Sequence, residues 1–336
     1  MFPLRRNRRL RTNESIRSLV RETILHPNDF IVPLFVVEGS NVKEEIPSMP
    51  NYFRMSLDTL EKEVRELWKL NLKSVLLFVK VADNLKDNKG TEALNPNGLM
   101  QRAIKTVKNA CPDMIVMTDV ALDPFSSYGH DGVIENLPDG RQGGQIANDI
   151  TAEILAQMSV SHAQAGADFV APSDMMDGRI LTIREALEEN NFINTGILAY
   201  SAKYASAHYG PFRDALDSAP VDLIDVPKDK KTYQMDYHNR IEAIRETQMD
   251  IDEGADIVMV KPGIAYLDIV REVKNAVEVP VAVYQVSGEY CMIKAASQRG
   301  WLDHDAIMME QTTAIKRAGA DLIASYFAKD IVKLIS

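Results

Sequence analysis

Glu253-Gly254-Ala255-Asp256-Ile257-Val258-Met259-Val260-Lys261-Pro262-Gly263 is the stretch from which the fold is read. It joins three signals. A glycine just past a helical pattern takes the left-handed conformation and lets the next strand start at once. The apolar run 257–260 then reads as a fully buried strand. A lysine followed by Pro-Gly closes the run where the backbone can turn sharply. The first signal recurs, because Ala165-Gly166-Ala167-Asp168 and Ala318-Gly319-Ala320-Asp321 each stand just before another apolar run.

Working outward, short apolar runs lie at residues 30–37, 74–80, 114–120, 169–172, 196–200, 257–260, 281–285 and 322–326. Helical patterns lie at 57–70, 98–110, 151–165, 179–189, 239–253, 266–277, 287–299 and 303–318. Strand–helix alternation of this length predicts parallel strands with helical crossovers. The (β/α)8 TIM barrel is its simplest closed form, and the glycine repeats then all precede even-numbered strands. An open doubly wound sheet is the alternative, but no Gly-x-Gly-x-x-Gly follows the first strand. Residues 29–336 form the barrel in this reading. Residues 1–28, with arginines at 5, 6, 8, 9, 11, 17 and 21, are read as an N-terminal arm or basic tail.

The composition narrows the function. Apolar content of 46% with 26% charged residues is that of a soluble globular protein. The net charge of −10 argues against a nucleic-acid partner, which a basic surface would serve. No run approaches the ~20 apolar residues a membrane span needs. Two distant cysteines, Cys111 and Cys291, cannot build a disulfide framework or a cysteine zinc site. No secretory signal is apparent, so a cytoplasmic setting is expected.

In a parallel barrel the chemistry gathers at the C-terminal ends of the strands. Those ends carry Asp119 and Asp123, Ser173 and Asp174, Lys203, Lys261, Ser287 and Tyr326. Lys203 ends Ile197-Leu198-Ala199-Tyr200-Ser201-Ala202-Lys203, on the strand that would neighbour that of Lys261. A buried lysine loses its proton more readily, and a neutral amine attacks carbonyls. Two adjacent ones would lower each other's pKa and could hold two carbonyl substrates. The loop 118–132 brings Asp119, Asp123, Asp131 and His130 around a Gly/Pro turn. Such oxygen ligands suit Mg²⁺ rather than Zn²⁺, although a solvated acidic loop has the same composition. The long connection after the fifth strand holds Arg213 and Lys230, which could grip a substrate carboxylate or simply form a solvated charged face. Residues 139–145 (DGRQGGQ) are glycine-rich and have no reading from the residues.

At this point the stretches YSAKYASAHYGPFRD (200–214), TYQMD (232–236), MVKPGIAYLD (259–268), YQVSGEY (284–290) and RAGADLIASYFAK (317–329), with 119–132 and 171–179, resemble the porphobilinogen synthase family, also called 5-aminolevulinate dehydratases. They run in the family's order through most of the chain. The resemblance implies a TIM barrel with an arm that embraces a neighbour, in an octamer built from dimers. It implies condensation of two 5-aminolevulinate molecules to porphobilinogen, with loss of two waters, in tetrapyrrole (heme) synthesis.

Lys203 and Lys261 match the two Schiff-base lysines, with Asp119 and Ser173 managing protons and water. Lys261 would take the substrate that supplies the propionate, and Lys203 the substrate that supplies the acetate. Arg213, Lys230 and Gln234 match the carboxylate grip of the second substrate, Ser287 and Tyr326 that of the first. Phe78 and Phe212 match aromatic walls. Ala121, Asp123 and Asp131 stand where the zinc-dependent branch has cysteines, so no zinc is expected. Asp123 and Asp131 are instead candidates for holding water, Mg²⁺ or a monovalent cation. Glu246 matches the ligand of an allosteric Mg²⁺ at the subunit interface. Tyr128 departs from the histidine common in the family. A class I aldolase, which needs one such lysine, and a catalytically dead scaffold barrel are the rival readings.

Overall fold

The structure, a computed structural model, describes residues 2–138 and 142–335. Eight parallel strands follow one another around a closed barrel: β1 (Phe30–Val37), β2 (Ser74–Lys80), β3 (Ile115–Val120), β4 (Phe169–Pro172), β5 (Gly196–Lys203), β6 (Ile257–Lys261), β7 (Val281–Gln285) and β8 (Leu322–Ser325). Closure is made by β8 on β1, with Phe30 opposite Ile323 and Ile31 opposite Ala324. The strands are buried almost end to end because one face fills the barrel and the other lies under helices. Leu57–Lys69 shows why those helices dock: Leu60, Val64 and Leu67 recur on one face and are buried there.

The glycine repeat has a definite structural task. Gly166, Gly254 and Gly319 have φ of 108°, 108° and 129°. Each frees the following aspartate to clamp the start of the preceding strand. The Asp168 carboxylate accepts the Val116 N–H at 2.7 Å, Asp256 that of Ile197 at 2.8 Å and Asp321 that of Val281 at 2.8 Å. Each aspartate's own N–H returns a bond to the carbonyl of the same residue. A basic side chain from the flanking helices faces each carboxylate: Lys108 at 2.6 Å, Arg184 at 3.9 Å and Lys274 at 2.6 Å. These clamps close the N-terminal face of the barrel, leaving the opposite face for chemistry.

Besides shifts of a few residues at element ends, three features differ from the sequence reading. β5 continues past Tyr200 to Lys203, so both lysines are the last residues of their strands. The helix that follows β8 is Ala328–Ile335, whereas Ser287–Gln298 and His304–Ala318 both lie between β7 and β8. A short helix, Gly210–Leu216, opens the long connection after β5. Of the glycine-rich segment, 139–141 lie outside the described residues, and Gly144–Ile146 pairs antiparallel with Ile134–Asn136. In the N-terminal segment, Asn7–Arg11 and Glu14–Leu19 are helical and bury no residue, and Leu4 and Leu19 are 95% and 83% exposed. Among the described residues no helix is long and apolar enough to cross a membrane.

Candidate active site

The site begins with an irregularity in β5. Val258 faces Ala199 and Val260 faces Ala202, so Tyr200 and Ser201 together oppose Met259. This one-residue bulge brings Lys203 and Lys261 opposite each other at the strand ends. Bulges commonly re-aim side chains beside active sites. Both lysines are buried, at 6% and 5% exposure.

Their surroundings differ sharply. The Lys261 ammonium nitrogen lies 4.7 Å from the ring centre of Tyr284, 5.0 Å from those of Tyr209 and Phe212, and 5.1 Å from that of Tyr200. It makes no ion pair among the described residues. Burial, reinforced by the nearby charge of Lys203, pushes its pKa down to about 7. Lys203 instead sits 3.4 Å from the Asp131 carboxylate and donates to the Ser173 carbonyl.

The acidic loop is threaded into this arrangement. Lys230 donates to Asp131 Oδ1 at 2.7 Å and lies 3.3 Å from Asp123 Oδ2. Burial disfavours the ionised Asp131, but Lys203 and Lys230 outweigh it and hold its carboxyl well below the usual range. Asp119 behaves oppositely. Burial and the charge of Asp123 push it up to about 7, against a 2.7 Å hydrogen bond from Ser173 Oγ. A carboxyl poised there can exchange protons near neutrality.

The cavity is lined by Asp119, Asp123, Asp131, Ser173, Lys203, Phe212, Arg213, Lys230, Gln234 and Lys261, all expected from the sequence, together with Tyr209. Only about 20 Å³ is free between them, room for about one water molecule. Admitting two substrates therefore requires side chains of this lining to move apart. Gln234 Oε1 is buried without a hydrogen-bond partner, as a ligand-facing amide would be.

The remaining expected residues lie outside this lining. Phe78 packs against Phe212 at 5.0 Å between ring centres. Ser287 Oγ accepts the Phe212 N–H at 3.0 Å, and Tyr326 shares a 3.0 Å hydrogen bond with Tyr284. They form the wall behind Lys261. Glu246 lines another cavity, of about 870 Å³, with Asp177, Asp236 and Glu242; neither Lys203 nor Lys261 lines it, and Gln234 is common to both cavities.

Three functional features escaped sequence reasoning. The tyrosines around Lys261 come from different elements, and only the barrel register unites them. Glu289, buried, accepts backbone N–H groups from Val286 at 2.6 Å and from Ile264, tying the turn after Lys261 to the helix after β7. His130 bonds to Tyr233 and to the Pro227 carbonyl.

Donor chemistry at the acidic loop does not suit a thiolate zinc site. Ala121 offers no ligand, and Asp123 and Asp131 are already bridged by Lys230. Among the described residues no group of three or more His, Cys, Asp or Glu side chains is arranged to hold a metal.

Comparison with known proteins places the chain as a whole. The family model described as delta-aminolevulinic acid dehydratase matches residues 4–334. The delta-aminolevulinic acid dehydratase of Bacillus subtilis (strain 168) is 48% identical over 331 residues, covering 98% of each chain. That of Synechococcus elongatus is 48% identical over 336 residues, covering 100% of both. A crystal structure of delta-aminolevulinic acid dehydratase (porphobilinogen synthase) from Toxoplasma gondii ME49, in complex with the reaction product porphobilinogen, superposes with a TM-score of 0.94 at 46% identity. It covers 99% of this chain and 92% of that one. Fold and sequence thus agree, and the chain belongs to the delta-aminolevulinic acid dehydratase family.

Proposed function

We propose that this chain is a porphobilinogen synthase, condensing two 5-aminolevulinate molecules to porphobilinogen with loss of two waters, in tetrapyrrole biosynthesis. The observation that carries the reading is the pair of buried lysines in register, one in an aromatic box and one in an acidic pocket. An aldolase needs only one such lysine. A dead scaffold would be free to lose members of the set, and all are present.

Lys261, its pKa pushed down to about 7, supplies a neutral amine near neutrality and takes the first substrate. Its amine adds to the ketone, water leaves, and the iminium makes the neighbouring carbon acidic. Asp119, with Ser173, accepts and returns protons at that carbon and at the departing oxygen. Ser287 and Tyr326 supply hydroxyls on the Lys261 side for the first carboxylate. Lys203, placed 3.4 Å from the Asp131 carboxylate, engages the second ketone. Arg213, Lys230 and Gln234 grip the second carboxylate, with Phe78 and Phe212 as the apolar wall. Incubation with 5-aminolevulinate and colorimetric detection of pyrrole tests the reading, and absence of pyrrole at any substrate concentration overturns it.

Metal dependence is general in this family. For this chain we assign Mg²⁺, acting through Glu246, and no zinc. Burial, with the charges of Asp250, Asp177 and Glu242, raises the Glu246 carboxyl against the pull of Arg179. A hydrated divalent cation in that acidic cavity would relieve the repulsion. Asp123 and Asp131 are the residues that could hold a monovalent cation or Mg²⁺ in the active site, in competition with Lys230. The exposed apolar and basic arm supports a homo-oligomer, an octamer built from dimers. Two free cysteines suit a cytoplasmic protein.

A further inference from the structure

His130 is fully buried between the acidic loop and the connection that carries Lys230 and Gln234. Its Nε2 lies 2.8 Å from the Pro227 carbonyl. A carbonyl only accepts, so Nε2 carries a proton. Burial disfavours the charged ring, which leaves Nδ1 to accept from the Tyr233 hydroxyl at 3.0 Å. The same hydroxyl oxygen accepts the backbone N–H of Asp131 at 3.3 Å. One rigid ring thereby braces two points of the connection, one on each side of Lys230. Tyr233 is adjacent to Gln234, and Asp131 is the partner of both Lys203 and Lys230.

The contact is close-fitting elsewhere too. The Val221 N–H donates to the Tyr128 carbonyl at 3.2 Å. Gly129, at φ 69°, approaches the Ala219 carbonyl so closely that a Cβ would sit 2.2 Å from its oxygen. By contrast, the hydrogen bonds and ring contact of His130 and Tyr233 among the described residues include none with the aromatic box around Lys261.

We propose that His130 and Tyr233 are positioning residues for the second-substrate half of the site. They hold Lys230 and Gln234 at the height of Asp131, so the saturation of that half depends on them and that of the Lys261 half does not. This rests on the assignment of Lys203, Arg213, Lys230 and Gln234 to the second 5-aminolevulinate.

The test uses the full-length protein and two readouts: pyrrole formation against 5-aminolevulinate concentration, and the concentration dependence of borohydride labelling at Lys261. Tyr233→Phe removes one oxygen and keeps the packing. The loss of the hydroxyl's two hydrogen bonds, with His130 and from the Asp131 N–H, predicts at least about a three- to tenfold rise in the concentration for half-maximal rate, with labelling at Lys261 shifted less than about twofold. His130→Leu should do the same. His130→Gln should retain most of the parent behaviour, because an amide can donate to Pro227 and accept from Tyr233. An unchanged rate curve in Tyr233→Phe, or an equal shift in both readouts, overturns the proposal even if His130→Leu fails to fold. Lys230→Ala is the control: if it leaves the rate curve unchanged, the assignment of this half to the second substrate fails first, and the inference with it.

Discussion

Two lysines opposite each other on neighbouring strands receive opposite treatment from their surroundings. Lys261 is surrounded by ring faces that would favour an ammonium by roughly 0.5–2 kcal/mol, yet burial and the charge of Lys203 outweigh them. The result is an amine half neutral at about pH 7. Schiff-base formation at Lys261 should therefore rise with pH through that value. One unit below it the neutral fraction falls to about a tenth. The apparent midpoint belongs to the coupled group that includes Asp119, which titrates in the same range. Lys261→Ala should lower pyrrole formation by several orders of magnitude, since covalent activation of the first ketone has no substitute. Arg213→Ala should raise the substrate concentration for half-maximal rate by roughly tenfold to a hundredfold, the loss of a charge-assisted carboxylate contact, with little change in thermal stability. A normal saturation curve would remove Arg213 from the site. Both lysines and the aspartates were legible in the sequence because each stands at a strand end or beside a turn, and Arg213 because it lies on the long connection after β5. The aromatic box was not, because Tyr200, Tyr209 and Tyr284 lie on separate elements.

At the scale of elements, the glycine–aspartate repeat and the β5 bulge divide the labour between the two faces of the barrel. Each aspartate satisfies an N–H in the first two residues of the preceding strand while its glycine ends a helix. Asp168→Ala or Asp321→Ala should each cost about 1 kcal/mol, a typical hydrogen bond. The two are distant enough for the losses to add. Urea unfolding measures this, and the rate at saturating substrate should stay at the parent level because the clamps lie on the face opposite the cavity. The repeat was readable as a register mark, and its glycines do adopt positive φ. The bulge was not readable. Ser201 and Ala202 are weak strand formers, so the strand seemed to stop at Tyr200, although β5 runs on to Lys203. The short helices Gly210–Leu216 and Ala328–Ile335 were missed for a related reason. At 7 and 8 residues they show too little period to separate from their flanks.

Across the whole molecule, the chain carries an exposed arm and an acidic cavity that the barrel's own packing does not explain. Phe2, Leu4, Leu19 and Ile24 are all exposed, an apolar surface that assembly would cover. Removing residues 1–12 should shift the protein to smaller assemblies on sizing chromatography. An unchanged profile would assign the subunit contacts elsewhere. Glu246→Ala should abolish stimulation by Mg²⁺ and leave basal activity, measured as a Mg²⁺ titration of the rate. Activity lost to a zinc-selective chelator and restored only by Zn²⁺ would contradict the Ala121, Asp123 and Asp131 reading. The central claim is the division between a neutral Lys261 and an ion-paired Lys203, and borohydride trapping with 5-aminolevulinate, followed by peptide mapping across pH 6–8, tests it most directly. The predicted result is a reduced adduct on Lys261 whose yield climbs through about pH 7. Label confined to exposed lysines, or an adduct on Lys203 in preference to Lys261, would contradict it.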